Sequence, residues 1–465
     1  MMNRPPCLAR GTAWRAFALA VLAVLLTACA TERPMPVAPA TSGNPFDGAL
    51  LYVDPDYVAA VDRSAALVTA SASDSARVAQ ARRFPTAVWL DRLAAIDGDK
   101  ARGGAMGLVD HLEAALQQQR LQSADGAAKP MAIPVVVYNL PDRDCAAAAS
   151  NGELKAASSG LAIYKAQFID RIAAILARPR YAGLRVVLLI EPDSYPNLLT
   201  NVGAGHPACD AVSASGVYVD GIRHALATFS ALPQVTIYLD IAHGAWLGWP
   251  EPRQKAVAGF RQLIAGATPS GRLDIVRGFV TNTSNYTPLD EPFFDGTPDI
   301  IRSDGSTRFY GWNPAVDELS YIDLLRREMV AAGFPQTVSF VVDTSRNGWG
   351  GSARPARAAS RVDEMRIDRR GQRSSWCNVN HAGIGERPRA RPDAARTYLD
   401  AYLFVKPPGA SDGTSDRSAT TPNAEGKRFD PMCGNPDALP GAPHAGHWFH
   451  EQFLMLLRNA YPPLR

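Results

Sequence analysis

Six apolar runs in this chain carry, at or just past their ends, residues that can do chemistry. IPVVVYNL is followed by Asp142, Arg143 and Asp144, and RVVLLIEPDSYPNLLTN stops on Glu191, Pro192 and Asp193. VTIYLDIAH carries Asp240 and His243, GFVTNTSNY carries Asn282 and Asn285, TVSFVVDTSRN carries Asp343 and Arg346, and AYLFVKP carries Lys406. One aspartate after a strand is ordinary turn chemistry. Several carboxylates gathered on one rim repel one another, and that repulsion calls for a compensating use. Cleavage of a glycosidic bond is such a use: one carboxylic acid protonates the leaving oxygen while a second carboxylate helps water attack the anomeric carbon. Trp89, Trp246, Trp249 and Trp376 lie beside the same tips, and indole faces stack on the apolar faces of sugar rings. HGAWLGWP is too broken by glycine, and too near a strand end, for a routine core helix, which favours substrate as the partner of Trp246 and Trp249.

Other chemistries suit these residues less well. Asp240 and His243 could ligate a metal, but the chain has no HExxH or CxxC and its eight histidines are scattered, so no metal and no other cofactor is expected. Gly409-Ala410-Ser411-Asp412-Gly413 matches GxSxG, with Asp430 and His444 or His447 following in the order of an α/β-hydrolase triad. That elbow requires a strand before the serine and a helix after it, whereas two prolines precede Gly409 and the polar TSDRSATTPNAEG follows Gly413.

Residues so far apart in sequence meet only if the apolar runs are strands of one sheet. Between most of the runs lie the helical patterns AIYKAQFIDRIAAILA, YVDGIRHALATF, PRQKAVAGFRQLIAGA and ELSYIDLLRREMVAAG. With TAVWL before the first, about seven continuous apolar strands alternate with amphipathic helices. This predicts an α/β protein whose parallel sheet is buried on both faces, a closed or nearly closed barrel with an open doubly wound sheet as the alternative. In either case the C-terminal strand ends converge on one face, where sites are built.

The 465 residues are 46% hydrophobic and 20% charged, ordinary for a soluble protein with a large core. Residues 1–28 stand apart: Arg4, Arg10 and Arg15 precede AFALAVLAVLL and then LTAC, which reads as an export signal. LTAC also resembles a bacterial lipobox, so Cys29 is expected to be lipidated and the chain to be exported to the outer membrane or cell surface, plain secretion being the alternative. Removing the signal leaves 45 basic against 45 acidic residues, and a neutral chain gives no reason to expect nucleic acid or contact with a membrane except through the lipid. Cys145, Cys209, Cys377 and Cys433 remain, an even set in an oxidising compartment, which predicts two disulfides with three possible pairings. ATERPMPVAPATSG reads as a flexible tether over 29–43, and 44–465 as one catalytic domain, expected to be monomeric.

YNLPDRDCAAAASNGE, IEPDSYPNLLTN, YLDIAHGAWLGWP, DTSRNG, WCN and KPPGASDGTSD resemble, in order, the signature segments of glycoside hydrolase family 6, the cellobiohydrolases and endoglucanases. The resemblance implies a distorted, incomplete parallel α/β barrel and inverting hydrolysis of β-1,4-glucan, cellulose foremost. By position it implies Asp193 as general acid, Asp144 as the carboxylate that raises the acid's pKa and shares a water chain with Ser150, and Asp412 as base. Tyr138 presses the sugar at the cleavage point out of its chair, and Arg346 and Lys406 flank the base. Trp89, Trp246, Trp249 and Trp376 stack on the glucan, with His243 and Asn285 as polar contacts; Asp240, at its strand tip, is expected to be a further substrate contact. It pairs Cys145 with Cys209 and Cys377 with Cys433. Ala410 departs from the pattern, standing where the family commonly has an acid that bonds sugar hydroxyls. Inversion sets the Asp193 and Asp412 carboxyls about 6.5–9.5 Å apart. Two long segments, Gly348–Ser375 and Ser415–Asp430, are expected to roof the groove into a tunnel, and so to favour exo action with cellobiose release over endo cleavage. A glucan-binding surface lipoprotein without activity is the reading of a different class.

Overall fold

The computed structural model describes residues 43–69, 71–99, 103–122, 129–297 and 309–464. The export signal, Cys29 and all of the tether but Gly43 lie outside the described residues.

The seven runs are strands: β2 (Val88–Leu90), β3 (Met131–Val137), β4 (Leu184–Ile190), β5 (Val235–Asp240), β6 (Gly278–Thr281), β7 (Ser339–Asp343) and β9 (Leu399–Leu403). Two pairs of residues that carry no readable pattern complete the sheet, β1 (Leu50–Leu51) beside β3 and β8 (Arg389–Ala390) beside β9. All pairings are parallel except β8 with β9. Alternate residues divide between two cores. Val136, Val187, Leu189, Val280, Val341 and Leu403 fill the barrel interior, while Val135, Val186, Leu188, Leu239, Phe279 and Phe340 pack outward against helices. Burial of both faces is why the strands read as unbroken apolar runs.

Proline explains why β3 has two short partners on one side. The Leu50 and Tyr52 N–H groups donate to the Pro130 and Ala132 carbonyls, so even-numbered residues of β3 face that side. Pro134 is the next of them, has no N–H, and falls in the gap between the registers of β1 and β2. The sheet then curls until its ends nearly touch. One backbone hydrogen bond, Ala87 N–H to the Phe404 carbonyl at 3.0 Å, and one from the Trp89 indole to the Val405 carbonyl at 2.8 Å, join the β2 and β9 sides. The barrel is therefore distorted and incomplete.

Helices α1 (Pro55–Leu67), α2 (Ser194–Thr200), α3 (Pro207–Ser215), α4 (Val217–Phe229), α5 (Pro250–Ala265) and α6 (Glu318–Ala331) flank it, the last three where the amphipathic patterns place them. The first pattern, AIYKAQFIDRIAAILA, forms consecutive helical segments from Gly160 to Leu176, with a π-turn over Tyr164–Ile169. Both disulfides pair as the resemblance implies: Cys145–Cys209 ties the loop after β3 to α3, and Cys377–Cys433 ties the residue after Trp376 to the chain just past the 415–430 loop.

Candidate active site

Backbone strain marks the rim. Asp142, Asp144, Glu191, Asp193, Ala242, Asn282 and Ser284 all have positive φ, between 50° and 61°, and all lie just past the tips of β3 to β6. Non-glycine residues rarely adopt this conformation, which costs roughly 1–3 kcal/mol each and persists where surrounding contacts impose it. Here the imposing contacts are visible. The Glu191 carboxylate accepts the N–H groups of Asn139 and Leu140 and the Tyr164 hydroxyl, fastening the tip of β4 to that of β3. Asp240 accepts the N–H of Asp193 at 3.1 Å and that of Ala242 at 3.0 Å, fastening β4 to β5.

These tips open into a cavity of about 540 Å³ lined by Trp89, Tyr138, Asp144, Ser150, Asp193, His243, Trp246, Trp249, Asn285, Trp376, Lys406 and Asp412. All but two of the residues given a catalytic or sugar-contacting role therefore meet in one place, while the tip residues Asp142, Arg143, Glu191, Asn282 and Asp343 do not line it. Asp240 and Arg346 do not line it. Asp240 lies beneath Asp193 holding its backbone, and Arg346 lies fully buried behind Asp412, so neither is placed to touch substrate.

The three carboxylates differ sharply. Asp193 forms no ion pair among the described residues; burial, reinforced by the charges of Asp144 and Asp240, holds its pKa well above the usual aspartate range. Asp144 accepts the Tyr138 hydroxyl at 2.5 Å, a short bond from Ser150, and the Asn197 amide at 3.5 Å; burial raises its pKa too. Asp412 is saturated: Arg346 Nη1 donates at 2.7 and 2.8 Å to its two oxygens, the Tyr286 hydroxyl at 2.7 Å and the Asn378 N–H at 2.8 Å, with Lys406 Nζ 3.7 Å away. His243 is kept neutral by burial and by Arg370 and Arg373.

Three indoles are mounted in one manner. Trp89 donates to the Val405 carbonyl, Trp246 to Thr200 Oγ1 at 3.0 Å, and Trp249 to the Gly311 carbonyl at 2.7 Å. Each N–H is tied back while the half-buried ring lines the cavity. Trp89 also meets Tyr138 edge-on, centroids 5.7 Å apart, and Lys406 Nζ stands 5.1 Å from its ring centre.

Several contributors are not in the sequence reading. Asn197 and Asn201, bonded to each other at 2.6 Å, line the cavity from α2; they follow Asp193 at helical spacings of four and eight, a signal that was available. Tyr286, His206, Thr283 and Ser374 had no comparable signal. Ser411 is structural, its hydroxyl donating to the Pro443 carbonyl at 2.8 Å, and Gly413 after it must lack a side chain because a Cβ would lie 2.6 Å from Cys433 Sγ.

The roof differs from expectation in one respect. Residues 415–430 do cross to the loop after β3: the Ala148 N–H donates to Asp430 at 2.7 Å, the Arg428 N–H to the Ala148 carbonyl at 3.3 Å, and Glu425 pairs with Arg92. Gly348–Ser375 instead forms a wall. Val362 and Met365 pack on Phe294, Phe309 and Tyr310, Glu291 accepts the N–H groups of Ile367 and Asp368, and only Ser374 of this segment lines the cavity, next to Trp376.

The family model described as glycosyl hydrolases family 6 matches residues 46–460. Exoglucanase A of Cellulomonas fimi is 42% identical over 459 residues, 94% of this chain but 50% of that protein, so the chain spans about half of that relative's length. The probable 1,4-beta-D-glucan cellobiohydrolase C of Aspergillus niger is 38% identical over 423 residues, 90% of this chain and 78% of that protein. Among solved structures, the catalytic domain of Cellulomonas fimi Cel6B superposes with a TM-score of 0.83 at 42% identity, covering 92% of this chain and 97% of that one. Cellobiohydrolase II (Cel6A) of Humicola insolens, solved with glucose and cellotetraose, gives 0.73 at 35% identity, covering 90% and 100%.

Proposed function

The chain belongs to glycosyl hydrolase family 6, and from that premise we propose that it hydrolyses the β-1,4-glucosidic bonds of cellulose with inversion, acting from chain ends and releasing mainly cellobiose. The observation that carries the proposal is the contrast between Asp193 and Asp412 in one indole-lined cavity. Asp193, unpaired and held protonated, is the proton donor to the leaving oxygen. Asp412, its charge matched by Arg346 and Lys406, is the base that helps water attack from the opposite side. Asp144 keeps the donor's pKa high and, with Ser150, orders the approach of water. Tyr138, fixed by its bond to Asp144 and by Trp89, presses the sugar at the cleavage point from its chair. The joined 415–430 and 145–152 segments favour threading of a chain end over lateral entry.

Release of reducing sugar from amorphous cellulose tests the activity, and its absence would leave only a glucan binder. New products should be α-anomers, and early β-anomers would remove inversion. Carboxymethylcellulose viscosity should fall slowly against reducing ends formed; a steep early fall would mark an endoglucanase. We further propose a monomer anchored through lipidated Cys29, so that Cys29→Ser frees the protein from the membrane fraction at unchanged specific activity.

A further inference from the structure

A second cavity, about 630 Å³, opens from the first past Trp89. The two share Trp89, Tyr138, Ser150, Lys406 and Ala445 in their walls, so they adjoin along these side chains. Its volume lies in the range of ligand pockets. Resting on the glucan reading above, we infer that this chamber holds additional glucosyl units of the bound chain, so that the enzyme also cuts after a longer stretch and releases cellotetraose with cellobiose.

Three features of the chamber suit sugar. At its far end Trp448 is mounted as the indoles of the first cavity are: N–H tied to Ser64 Oγ at 2.8 Å, ring half-buried and lining the space. The Tyr57 hydroxyl, on a side chain 4% exposed that lines the chamber and packs edge-on to Trp448, has no hydrogen-bond partner among the described residues. A buried hydroxyl left unmatched is destabilising, and a ligand hydroxyl would offset that cost. Ala410 leaves room in the chamber, its short side chain in the wall where its backbone bridges Trp448.

The charges around the chamber do not argue for an ion. Arg92 pairs with Asp99 and Glu425, and Lys427 with Glu425 and Asp91. Asp54, Asp56 and His111 come within 4.8 Å of one another, but Asp54 caps α1 through the Asp56 N–H and Asp56 accepts the Met106 N–H. Both carboxylates thus already serve the positive end of a helix, where a cation is disfavoured. What remains is a wall of hydrogen-bonding groups between two aromatic faces. Successive glucosyl units of a β-1,4-glucan are flipped, so a chain advanced by two units presents the same face to Asp193. Cellotetraose, rather than cellotriose, is therefore the product the chamber favours.

The test is the early soluble product profile from swollen cellulose and from labelled cellohexaose, for the wild type, Ala410→Phe, Tyr57→Phe and Trp448→Ala, with melting temperatures to confirm folding. The wild type should release cellotetraose alongside cellobiose from the first time points. Ala410→Phe, which fills the chamber beside Trp448, should abolish the cellotetraose while cellobiose continues, and Trp448→Ala should cut its share about tenfold, the weight of one strong aromatic contact. Tyr57→Phe, which keeps the ring, should lower it by less. Cellobiose alone from the wild type, or cellotetraose undiminished in a folded Ala410→Phe, overturns the chamber while leaving the cellulase reading intact. No soluble sugar at all from the wild type would overturn the cellulase reading itself.

Discussion

The two sides of the cavity keep their carboxylates in opposite ways. On the β4–β5 side, Asp193, Asp240 and, behind them, Glu318 form no ion pairs among the described residues, and burial pushes their pKa values up, to about 7 for Asp240 and about 8 for Glu318. On the β7–β9 side three acids have cations: Asp412 has Arg346, Asp368 has Arg370, and Asp400 has Arg277 at 2.8 Å, whereas Asp343 at the tip of β7 is held by the N–H groups of Ser284, Ser345, Val405 and Lys406, and burial raises its pKa. The same residue type is thus set as a neutral acid on one side and a compensated charge on the other. Inverting glycoside hydrolysis needs one group of each kind, facing each other across the sugar. What separates them is the placing of three arginines.

The largest expected effect comes from removing the neutral member. Asp193→Ala should lower activity on cellulose by roughly 10²–10⁴, the contribution of a positioned general acid, and far less on a cellobiosyl fluoride, whose leaving group needs no proton. Equal losses on both substrates would mean that Asp193 only shapes the loop. Arg346→Met attacks the charged side. It strands the Asp412 carboxylate, 5% exposed, with Lys406 as its remaining cation, and should cost about 3–5 kcal/mol of stability in denaturant unfolding, as broken buried pairs do. Unchanged stability would show that Lys406 and Tyr286 suffice.

Asp144→Asn tests whether the two sides communicate by charge. The Asp144 charge is the largest charge effect raising Asp193, so its removal should move the alkaline limb of kcat/KM to lower pH, besides any loss from the disturbed Tyr138 and Ser150 bonds. A lower rate with an unshifted limb would assign Asp144 to positioning alone.

How much of this contrast was legible in the sequence depends on distance along the chain. The seven strands and their polar tips were readable because burial on both faces leaves unbroken apolar runs, and a parallel sheet brings their ends together. Asp193 stood out for the same reason. The pairing was legible only through the family resemblance, which sets Arg346 beside Asp412: nothing in DTSRN by itself says that Arg346 reaches a carboxylate 66 residues on. Asp240 looked like a substrate contact because it sits at a tip, yet one of its oxygens accepts two backbone N–H groups that only the folded turn supplies and the other is buried away from the cavity. The length of Gly348–Ser375 suggested a roof. Its path is set by Glu291 and the Phe294, Phe309 and Tyr310 cluster, contacts of long sequence separation that no local pattern encodes. β1 and β8, two residues each, are too short for any periodicity to show.

The smallest expected effect separates burial from pairing most cleanly. Glu318 is fully buried, caps no cation, and accepts the Gly244 N–H at 2.8 Å, holding the start of the segment that carries Trp246. Burial raises it from the ordinary 4.5 to about 8, so between those values the folded chain holds a proton that the unfolded chain has lost. Stability contributed by the neutral form is therefore complete below about 4.5 and is lost as pH rises toward 8. Glu318→Gln keeps the shape and the acceptor without the titration. Its melting temperature should match the wild type's near pH 4.5 and exceed it near pH 8, flattening the profile across that window. Asp368→Asn, on the other side, should behave oppositely in kind: it strands the buried Arg370 and should destabilise the protein at both pH values. If Glu318→Gln lowered stability equally at both ends, the Glu318 side chain would be charged in the folded protein, and the division of the cavity into a neutral and a compensated side would fail at its most buried member.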